Sequence, residues 1–364
     1  MELLYQIALT QIEGVGNVLA KNLISYCGSA TSVFKAKKSS LLKIPEIGEI
    51  TANSVISFKD FSKAESELKF IEYHNIKTYF YASQNYPYRL KTNNDCPVLL
   101  YQLGDADLNA DKIISIVGTR NPTDYGRNFC ETLIENLAGT NVSIISGMAY
   151  GVDICAHKAA LKNNLPTVGV LAHGLDRLYP AEHKKHAKSM MKSGGALVTE
   201  FLSGTNPDRE NFPKRNRIVA GLSDAVIVVE TALRGGSMIT AELAWQYDRG
   251  LMALPGKIND EKSAGCNFLI KTNKAEMIEN ADDLLKSLGW TISKNSLPKQ
   301  KELPINLSEE EKKLINLFKK ENMLEIDKLI SLSGLSSGQV ALTLLDLEIK
   351  GIIKTLPGKR FQLL

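Results

Sequence analysis

The chain has 364 residues, 44% of them hydrophobic and 23% charged, which is enough apolar material for two or three domains. Its net charge of +4 permits an anionic partner but falls short of the strongly basic balance of a protein that coats DNA. No apolar run reaches the roughly 18 residues needed to cross a bilayer, and the first residues lack a basic n-region. We therefore expect a cytoplasmic protein without a membrane partner.

The five cysteines are widely separated along the chain, at Cys27, Cys96, Cys130, Cys155 and Cys266. Their odd number and spacing favour reduced thiols over a disulfide framework or a CxxC metal site. The sequence therefore indicates no redox chemistry.

Residues 1–60 predict a small helical domain, because apolar residues such as Leu19 and Leu23 recur at helical spacing. Two segments with glycine turns, Ile12–Gly16 and Ile44–Gly48, resemble helix-hairpin-helix elements of a SAM-like domain. Hairpin amides of this kind can contact phosphate without reading bases. Related helical domains bind only protein, so the sequence leaves DNA contact here open.

From residue 112 the pattern changes to apolar segments separated by helical stretches. Six strands are predicted, in KIISIV, VSIIS, PTVGVLA, ALVTEF, DAVIVVE and LMALP. Segments that are apolar on both faces, with helices between them, are typical of a doubly wound parallel α/β sheet. The upstream segments IKTYFYA and PVLLYQLG could add strands. We therefore expect an extended Rossmann-like domain over residues 61–290.

Residues 291–307 carry prolines, lysines and few apolar side chains, and they predict a linker. A winged helix is predicted over residues 308–364. Ser308 and Glu311 resemble a capping box, two further helices are expected at 326–333 and 336–350, and a hairpin is expected at Pro357 and Gly358. The helix that would enter a DNA groove has few donors, which favours a protein contact over duplex reading.

Ligands of an open parallel sheet bind beyond the carboxyl ends of the strands. These predicted ends are rich in small and basic residues: Gly118, Thr119 and Arg120 after the first strand, Ser146 and Gly147 after the second, and Arg234, Gly235 and Ser237 after the fifth. Glycine-rich loops that lead into helices offer backbone amides to an anion. They predict a phosphate-binding crevice, although tight turns alone would also use such residues.

A loop is predicted over residues 206–217, after the fourth strand. It combines four cations with one aromatic residue and an amide: Arg209, Lys214, Arg215, Arg217, Phe212 and Asn216. Arginine suits phosphate, and an exposed phenylalanine can stack on an unpaired base, which requires single strands. The alternative is that Phe212 fills the core and that Arg215 and Arg217 pair with Asp208, Glu210 or Glu200.

Several signatures of other functions are missing from the sequence. It has neither GxGxxG after the first strand nor GxxxxGK[ST], so we predict no dinucleotide cofactor and no P-loop NTPase. His183 and His186 lack further ligands and are expected on a solvated helix face, so we predict no metal. Possible acid–base groups near the crevice have no visible nucleophile and are expected to orient loops: His157, Asp153, Glu200 and Glu230.

Six segments between residues 116 and 270 carry a family resemblance: IVGTRNPTDYG, IISGMAYGVDICAHKAAL, GLDRLYPAEH, NFPKRNRIVAGLSDAVIVVE, GGSMITAELA and ALPGKINDEKSAGCNFLI. They resemble the DNA-processing protein A (DprA/Smf) family of bacterial recombination mediators. The resemblance implies a non-enzymatic homodimer with an extended Rossmann domain that binds single-stranded DNA. It also implies that the protein protects incoming DNA and helps to load the RecA recombinase in natural transformation.

Matching positions imply a DNA-binding site made of Gly118, Thr119, Arg120, Ser146, Gly147, Arg209, Phe212, Arg215, Asn216, Arg217, Gly235 and Ser237. Residues 172–174 (Ala-His-Gly) and the segment GGSMITA depart from the usual family pattern, which puts the shape of these two loops in question.

Two other functions stay open at this point. GGSMITAE resembles the PGGxGTxxE motif of Rossmann-like nucleotide phosphoribohydrolases, which hydrolyse an N-glycosidic bond. The proline and the central glycine are missing, so Glu242 matches the catalytic acid poorly. The third interpretation is a protein adaptor with a vestigial crevice.

Overall fold

The computed structural model describes residues 2–290, 307–319 and 321–364, so nearly all of the predicted linker lies outside the described residues. The N-terminal part is helical, as predicted, and turns lie around Gly14 and Glu46. Its helices are α1 (Glu2–Leu9), α2 (Asn17–Cys27), α3 (Ala30–Lys35), α4 (Lys38–Leu41), α5 (Glu49–Ser57) and α6 (Ser62–His74).

The central part of the chain builds one large sheet. Its strands are β1 (Lys77–Phe80), β2 (Leu99–Gly104), β3 (Ile113–Val117), β4 (Ser143–Gly147), β5 (Thr167–Val170), β6 (Ala196–Thr199), β7 (Ala225–Val228), β8 (Gly250–Ala253) and β9 (Glu276–Met277). The helices of this part are α7 (Tyr88–Lys91), α8 (Asp124–Asn136), α9 (Val152–Lys162), α10 (Lys184–Lys192), α11 (Asn211–Gly221), α12 (Gly236–Gln246), α13 (Ala264–Lys271) and α14 (Ala281–Ser287).

Within the described residues the sheet has the order β1-β2-β6-β5-β4-β3-β7-β8-β9. Strands β3 to β9 run parallel to their neighbours, whereas β1 and β2 join antiparallel at one edge. The six predicted strands are confirmed as β3 to β8. The two upstream segments are confirmed as β1 and β2, so the sheet is an extended version of the Rossmann-like fold.

Helices cover both faces of the parallel sheet. Alternate residues of each strand point to opposite sides and pack against the helices there. In β7, Val226 and Val228 pack with Ala241 of α12, while Ala225 and Ile227 belong to a second core cluster that contains α8, α9 and α14. The strands are therefore buried on both faces, as their continuous apolar segments predict.

The strand order creates a switch point between β3 and β7. The chain winds from β3 through β4 and β5 to β6, and then returns to the other side of β3 to form β7. In doubly wound sheets, ligands bind in the crevice at the point where the winding reverses. The loops after β3 and β7 are therefore the first place to look for a site.

The N-terminal helices share one apolar cluster with the antiparallel edge of the sheet. Leu23 and Ala52 belong to the same cluster as Leu99 and Tyr101 of β2. The side chain of Asn17, at the start of α2, accepts a hydrogen bond from the Val98 amide at 2.9 Å. The first hairpin is thus tied to the sheet.

The C-terminal part forms the predicted winged helix. Its elements are α15 (Glu309–Phe318), β10 (Met323–Glu325), α16 (Ile326–Ser333), α17 (Ser337–Ile349), β11 (Ile353–Leu356) and β12 (Arg360–Leu363). Ser308 and Glu311 form the expected capping box. No helix in the described ranges is by itself long and apolar enough to cross a membrane, and the pair α16 and α17, which meets that test only jointly, is bent by 113°.

Candidate nucleic-acid interface

The loops after β3 and β7 meet at the switch point. The Thr119 amide donates to the Glu230 carbonyl at 2.6 Å, and Glu230 in turn accepts from the Thr123 amide at 2.8 Å. These bonds hold the Gly118–Arg120 loop against the end of β7. They also occupy the Thr119 amide, so the part of this loop open to a ligand is the exposed side chain of Arg120.

The floor of the crevice beneath Gly147 is formed by two buried side chains of opposite charge, Arg215 and Asp153. Arg215 is 6% exposed, donates from Nη1 to the Val170 carbonyl at 2.9 Å, and lies near the buried Asp153. A Cβ on Gly147 would overlap both the Arg215 guanidinium and the Asp153 carboxylate, so this close approach requires glycine. Burial raises the pKa of Asp153, and the adjacent Arg215 charge opposes that rise.

Arg215 and Arg217, two of the predicted DNA-binding residues, are largely buried in the structure. Arg217 forms an ion pair with Glu200, and both side chains are about nine-tenths buried. That pair is one of the alternatives raised by the sequence, whereas Arg215 donates to the Val170 carbonyl and has Asp153 as its nearby opposite charge, which the sequence did not indicate. Both arginines shape the crevice from inside, and their part in binding stays a prediction.

The loop predicted over residues 206–217 is shorter than expected, since helix α11 already begins at Asn211. Proline is tolerated in the first helical turn, where its missing N–H has no intrahelical acceptor, and Pro213 stands there. Phe212 and Asn216 thus lie on a rigid helix. Arg209, in the remaining loop, and Lys214, on the outer face of α11, are exposed.

An aromatic cleft lies beside these cations. We use this name for the groove lined by Arg120, Tyr150, Tyr179 and Phe212 above the end of β5. The Phe212 ring is half-buried, with the Arg120 guanidinium 5.8 Å from its centroid and the Tyr179 ring edge-on at 6.2 Å. Tyr150 and Tyr179 are exposed. Flat rings next to a cation are the elements that hold unpaired bases and their phosphates.

Sequence reasoning missed Tyr150 and Tyr179 as candidate site residues. Tyr150 lies in the loop three residues after the end of β4, and Tyr179 lies in the GLDRLYPAEH segment, which contributed only to the family resemblance. An aromatic residue next to a strand-end loop is the signal that would have identified Tyr150. Tyr179 is brought to the cleft by a long connection, and nothing local in the sequence predicts that.

The N-terminus of α12 provides the remaining predicted anion contacts. The Gly235 amide donates to the Ala232 carbonyl at 2.9 Å and is therefore occupied. Gly236 and Ser237 lie in the first turn of α12, where amides have no acceptor within the helix. The Asn216 amide group lies 3.5 Å from the Gly236 carbonyl, so α11 and α12 meet at this point. Ser146, a predicted site residue at the end of β4, is buried, and its hydroxyl donates to the Ile116 carbonyl at 2.6 Å.

The possible acid–base groups have structural partners. His157 is fully buried, with Nε2 2.6 Å from the Gly147 carbonyl and Nδ1 2.7 Å from the Thr167 hydroxyl. Because the Gly147 carbonyl can only accept, the ring donates to it from Nε2. Burial, with a smaller contribution from the positive groups nearby, lowers its pKa to about 4. His157 thus connects the end of β4 to the start of β5, which is a structural role in this loop region.

We expect the stability of this domain to fall with acid because of His157. The unfolded imidazole, with a pKa near 6.5, takes up a proton that the folded site resists until the pH approaches 4. Stability therefore increases with pH between these values, by about 2 kcal/mol from pH 5 to pH 7. Denaturant titrations of wild type and His157→Gln at both pH values would measure this. An identical pH dependence of the two proteins would contradict it.

The expectation for His183 is wrong in one respect. The residue is 5% exposed, not part of a solvated face, and its Nδ1 lies 2.8 Å from the Met148 carbonyl. Its ring supports Tyr150 edge-on at 5.1 Å. Within residues 2–290, 307–319 and 321–364 no cluster of His, Cys, Asp and Glu could hold a metal ion.

The comparisons with known proteins agree with this architecture. A model described as DNA recombination-mediator protein A matches residues 77–289, a DprA winged helix domain matches 298–359, and a SAM-like helix-hairpin-helix tandem matches 7–58. The chain is 31% identical to Protein Smf of Synechocystis over 98% of both chains. It is 35% identical to Protein Smf of Escherichia coli over 81% of this chain and 79% of the relative.

Two solved structures are similar. DNA processing protein A of Streptococcus pneumoniae aligns with a TM-score of 0.66 and 30% identity over 78% of this chain and 97% of that one. The Helicobacter pylori protein, studied for its single-stranded DNA binding mode, aligns with a TM-score of 0.53 and 33% identity over 58% of this chain and 95% of that one. Because a family model spans more than half of the chain and relatives align over nearly all of it, the chain belongs to the DNA recombination-mediator protein A family, also named DprA/Smf.

Proposed function

We propose that this chain is a non-enzymatic recombination mediator that binds single-stranded DNA in the aromatic cleft. The observation that carries the proposal is the half-buried Phe212 ring, placed between the Arg120 guanidinium and Tyr179 at the end of β5. A duplex cannot offer its paired bases to such rings, whereas a single strand can. Single-stranded DNA is also the ligand whose binding mode was studied in the Helicobacter pylori relative.

The proposed DNA-binding residues divide into two groups. Arg120 and Phe212 line the aromatic cleft, and Arg209 is exposed in the loop before α11. The others shape the crevice from behind or offer backbone at helix starts: Gly118, Thr119, Ser146, Gly147, Arg215, Asn216, Arg217, Gly235 and Ser237. Lys214 is also exposed, but it lies two residues from Phe212 and therefore on a different face of α11.

We further propose that the protein forms a homodimer, protects incoming single strands and helps to load RecA in natural transformation. Family membership supports this part. The winged helix fits a protein contact, because α17 exposes Leu342, Leu345 and Ile349 where a groove-reading helix would carry donors. At the first hairpin, Glu200 lines the adjoining cleft, and its carboxylate is already paired with Arg217.

The phosphoribohydrolase alternative receives no support from the position of Glu242. Its carboxylate lies 2.7 Å from Lys274 in a partly exposed ion pair. Glu242 does not line the aromatic cleft. Release of free base from AMP at high protein concentration would support the enzyme, and its absence would remove that alternative. Failure to bind any oligonucleotide together with capture of the recombinase would favour the adaptor.

We expect oligo-dT to bind far more tightly than a duplex of equal length, with an affinity that falls steeply as salt increases. Each phosphate contact adds about 0.7 to the slope of log affinity against log salt for single strands. Fluorescence anisotropy over a salt series, with the mass in solution measured alongside, would test both the ligand and the dimer. Arg120→Ala should weaken binding, whereas Lys192→Ala, on α10 and outside the aromatic cleft, should not. Equal affinity for single strands and duplex would contradict the proposal.

A further inference from the structure

A second cleft adjoins the aromatic cleft on the other side of Arg120. We call it the cationic cleft; it has a volume of about 670 Å³ and is lined by Arg120, Arg127, Tyr150, Lys158 and Lys262, with Glu131 as its carboxylate. Arg120 and Tyr150 line both clefts. A linear ligand that leaves one cleft therefore enters the other across these two side chains.

The charges of the cationic cleft are open to a ligand. Arg120, Arg127 and Lys158 are exposed, and Lys262 is half-buried. Arg127 donates to the Pro122 carbonyl at 2.8 Å and lies 3.8 Å from Asp124, whose side chain is 95% exposed, so solvent screens that pair. Among the described residues, neither Lys158 nor Lys262 forms an ion pair with a carboxylate.

The wall shared by the two clefts is held by contacts of Tyr150 and Gly151. The Tyr150 hydroxyl lies 3.0 Å from the Glu182 carboxylate, and its ring packs on the buried His183. A Cβ on Gly151 would overlap the backbone of Thr119 and Arg120, so the two loops are in close contact at this point. An aromatic face between two sets of cations matches the alternation of bases and phosphates in a single strand.

We propose that the cationic cleft binds the phosphodiester backbone of nucleotides that adjoin those held by Phe212. This inference rests on the proposed function, and it extends the site by Arg127, Lys158 and Lys262. An acidic protein segment would match the charges equally well, but it would not need the aromatic wall that continues from the Phe212 ring. The cleft thus lengthens the stretch of DNA that one protomer holds.

The test uses the full chain and oligo-dT of increasing length, from about four to about twenty nucleotides. Lys158→Ala/Lys262→Ala should bind the shortest oligomers like wild type, but bind the longest ones about tenfold more weakly. Its salt slope on the longest oligomers should be smaller by about 1.4, which corresponds to two lost phosphate contacts. Lys162→Ala/Lys192→Ala removes the same charge from positions outside the cleft and serves as the control.

The outcomes separate this inference from the proposed function. Unchanged binding of long oligomers by Lys158→Ala/Lys262→Ala, or an equal loss at every length, would overturn the cationic cleft as a distinct DNA subsite. Arg120→Ala should lose affinity at every length, because Arg120 lines both clefts. Failure of the wild type to bind any oligomer would instead reject the proposed function itself. Circular dichroism would confirm that each variant is folded.

Discussion

Replacement of Asp224 by alanine should lower the free energy of unfolding by about 3–5 kcal/mol, because it leaves buried guanidinium groups without their counter-charge. The Asp224 side chain is fully buried at the start of β7. It accepts from Arg89 at 2.8 and 3.0 Å and from the Ile113 amide at 2.9 Å, and Arg360 of the winged helix lies 2.7 Å away. Denaturant titration of the full chain, followed by circular dichroism, would measure the loss.

Asp105→Ala is the matched control for this experiment. Asp105 also forms an ion pair, with Lys77 at 2.8 Å, but its side chain is 80% exposed and water screens the interaction. Its removal should change the free energy of unfolding by no more than about 1 kcal/mol. If the two substitutions had the same effect, the buried network around Asp224 would not carry the stability assigned to it.

The network around Asp224 also shows what a sequence can and cannot predict. The strand segments were predictable because burial on both faces leaves a continuous apolar pattern in each of them. Arg89 and Arg360 each lie more than 130 residues from Asp224 along the chain. No local pattern pairs such distant charges, so their contact emerges only from the packed structure.

The crevice also has features that the sequence predicts and features that it does not. The sequence correctly predicts that the loops after β3, β4 and β7 meet at one edge of the sheet. It does not predict that Arg215 points inward, because Pro213 favours a loop over a helix at this position. With the helix beginning at Asn211, residues 211, 215 and 218 share its buried face, while Lys214 lies on the outer face. The helical spacing of residues 211, 215 and 218 indicates the buried face, but Pro213 led to the prediction of a loop over these residues.

Phe212→Ala should weaken oligo-dT binding by about 1–3 kcal/mol for each stacked base, or roughly 5- to 150-fold for one base. The slope against salt should stay unchanged, because loss of stacking releases no counterions. Arg209→Ala, in the loop before α11, should do the opposite: a modest loss of affinity with a slope smaller by about 0.7. Anisotropy titrations of both variants across a salt series would distinguish a base contact from a phosphate contact.

Phe212→Tyr is the control that keeps the ring, and it should retain most of the affinity. If Phe212 only filled the core, alanine would lower the free energy of unfolding by about 3–5 kcal/mol, and the binding loss would disappear under strongly stabilising conditions. The half-buried ring, with Arg120 and Tyr179 on its flanks, argues against that outcome. A salt-independent loss of binding in a folded Phe212→Ala protein would thus identify Phe212 as a base-stacking residue, because neither a phosphate contact nor a core defect produces that combination.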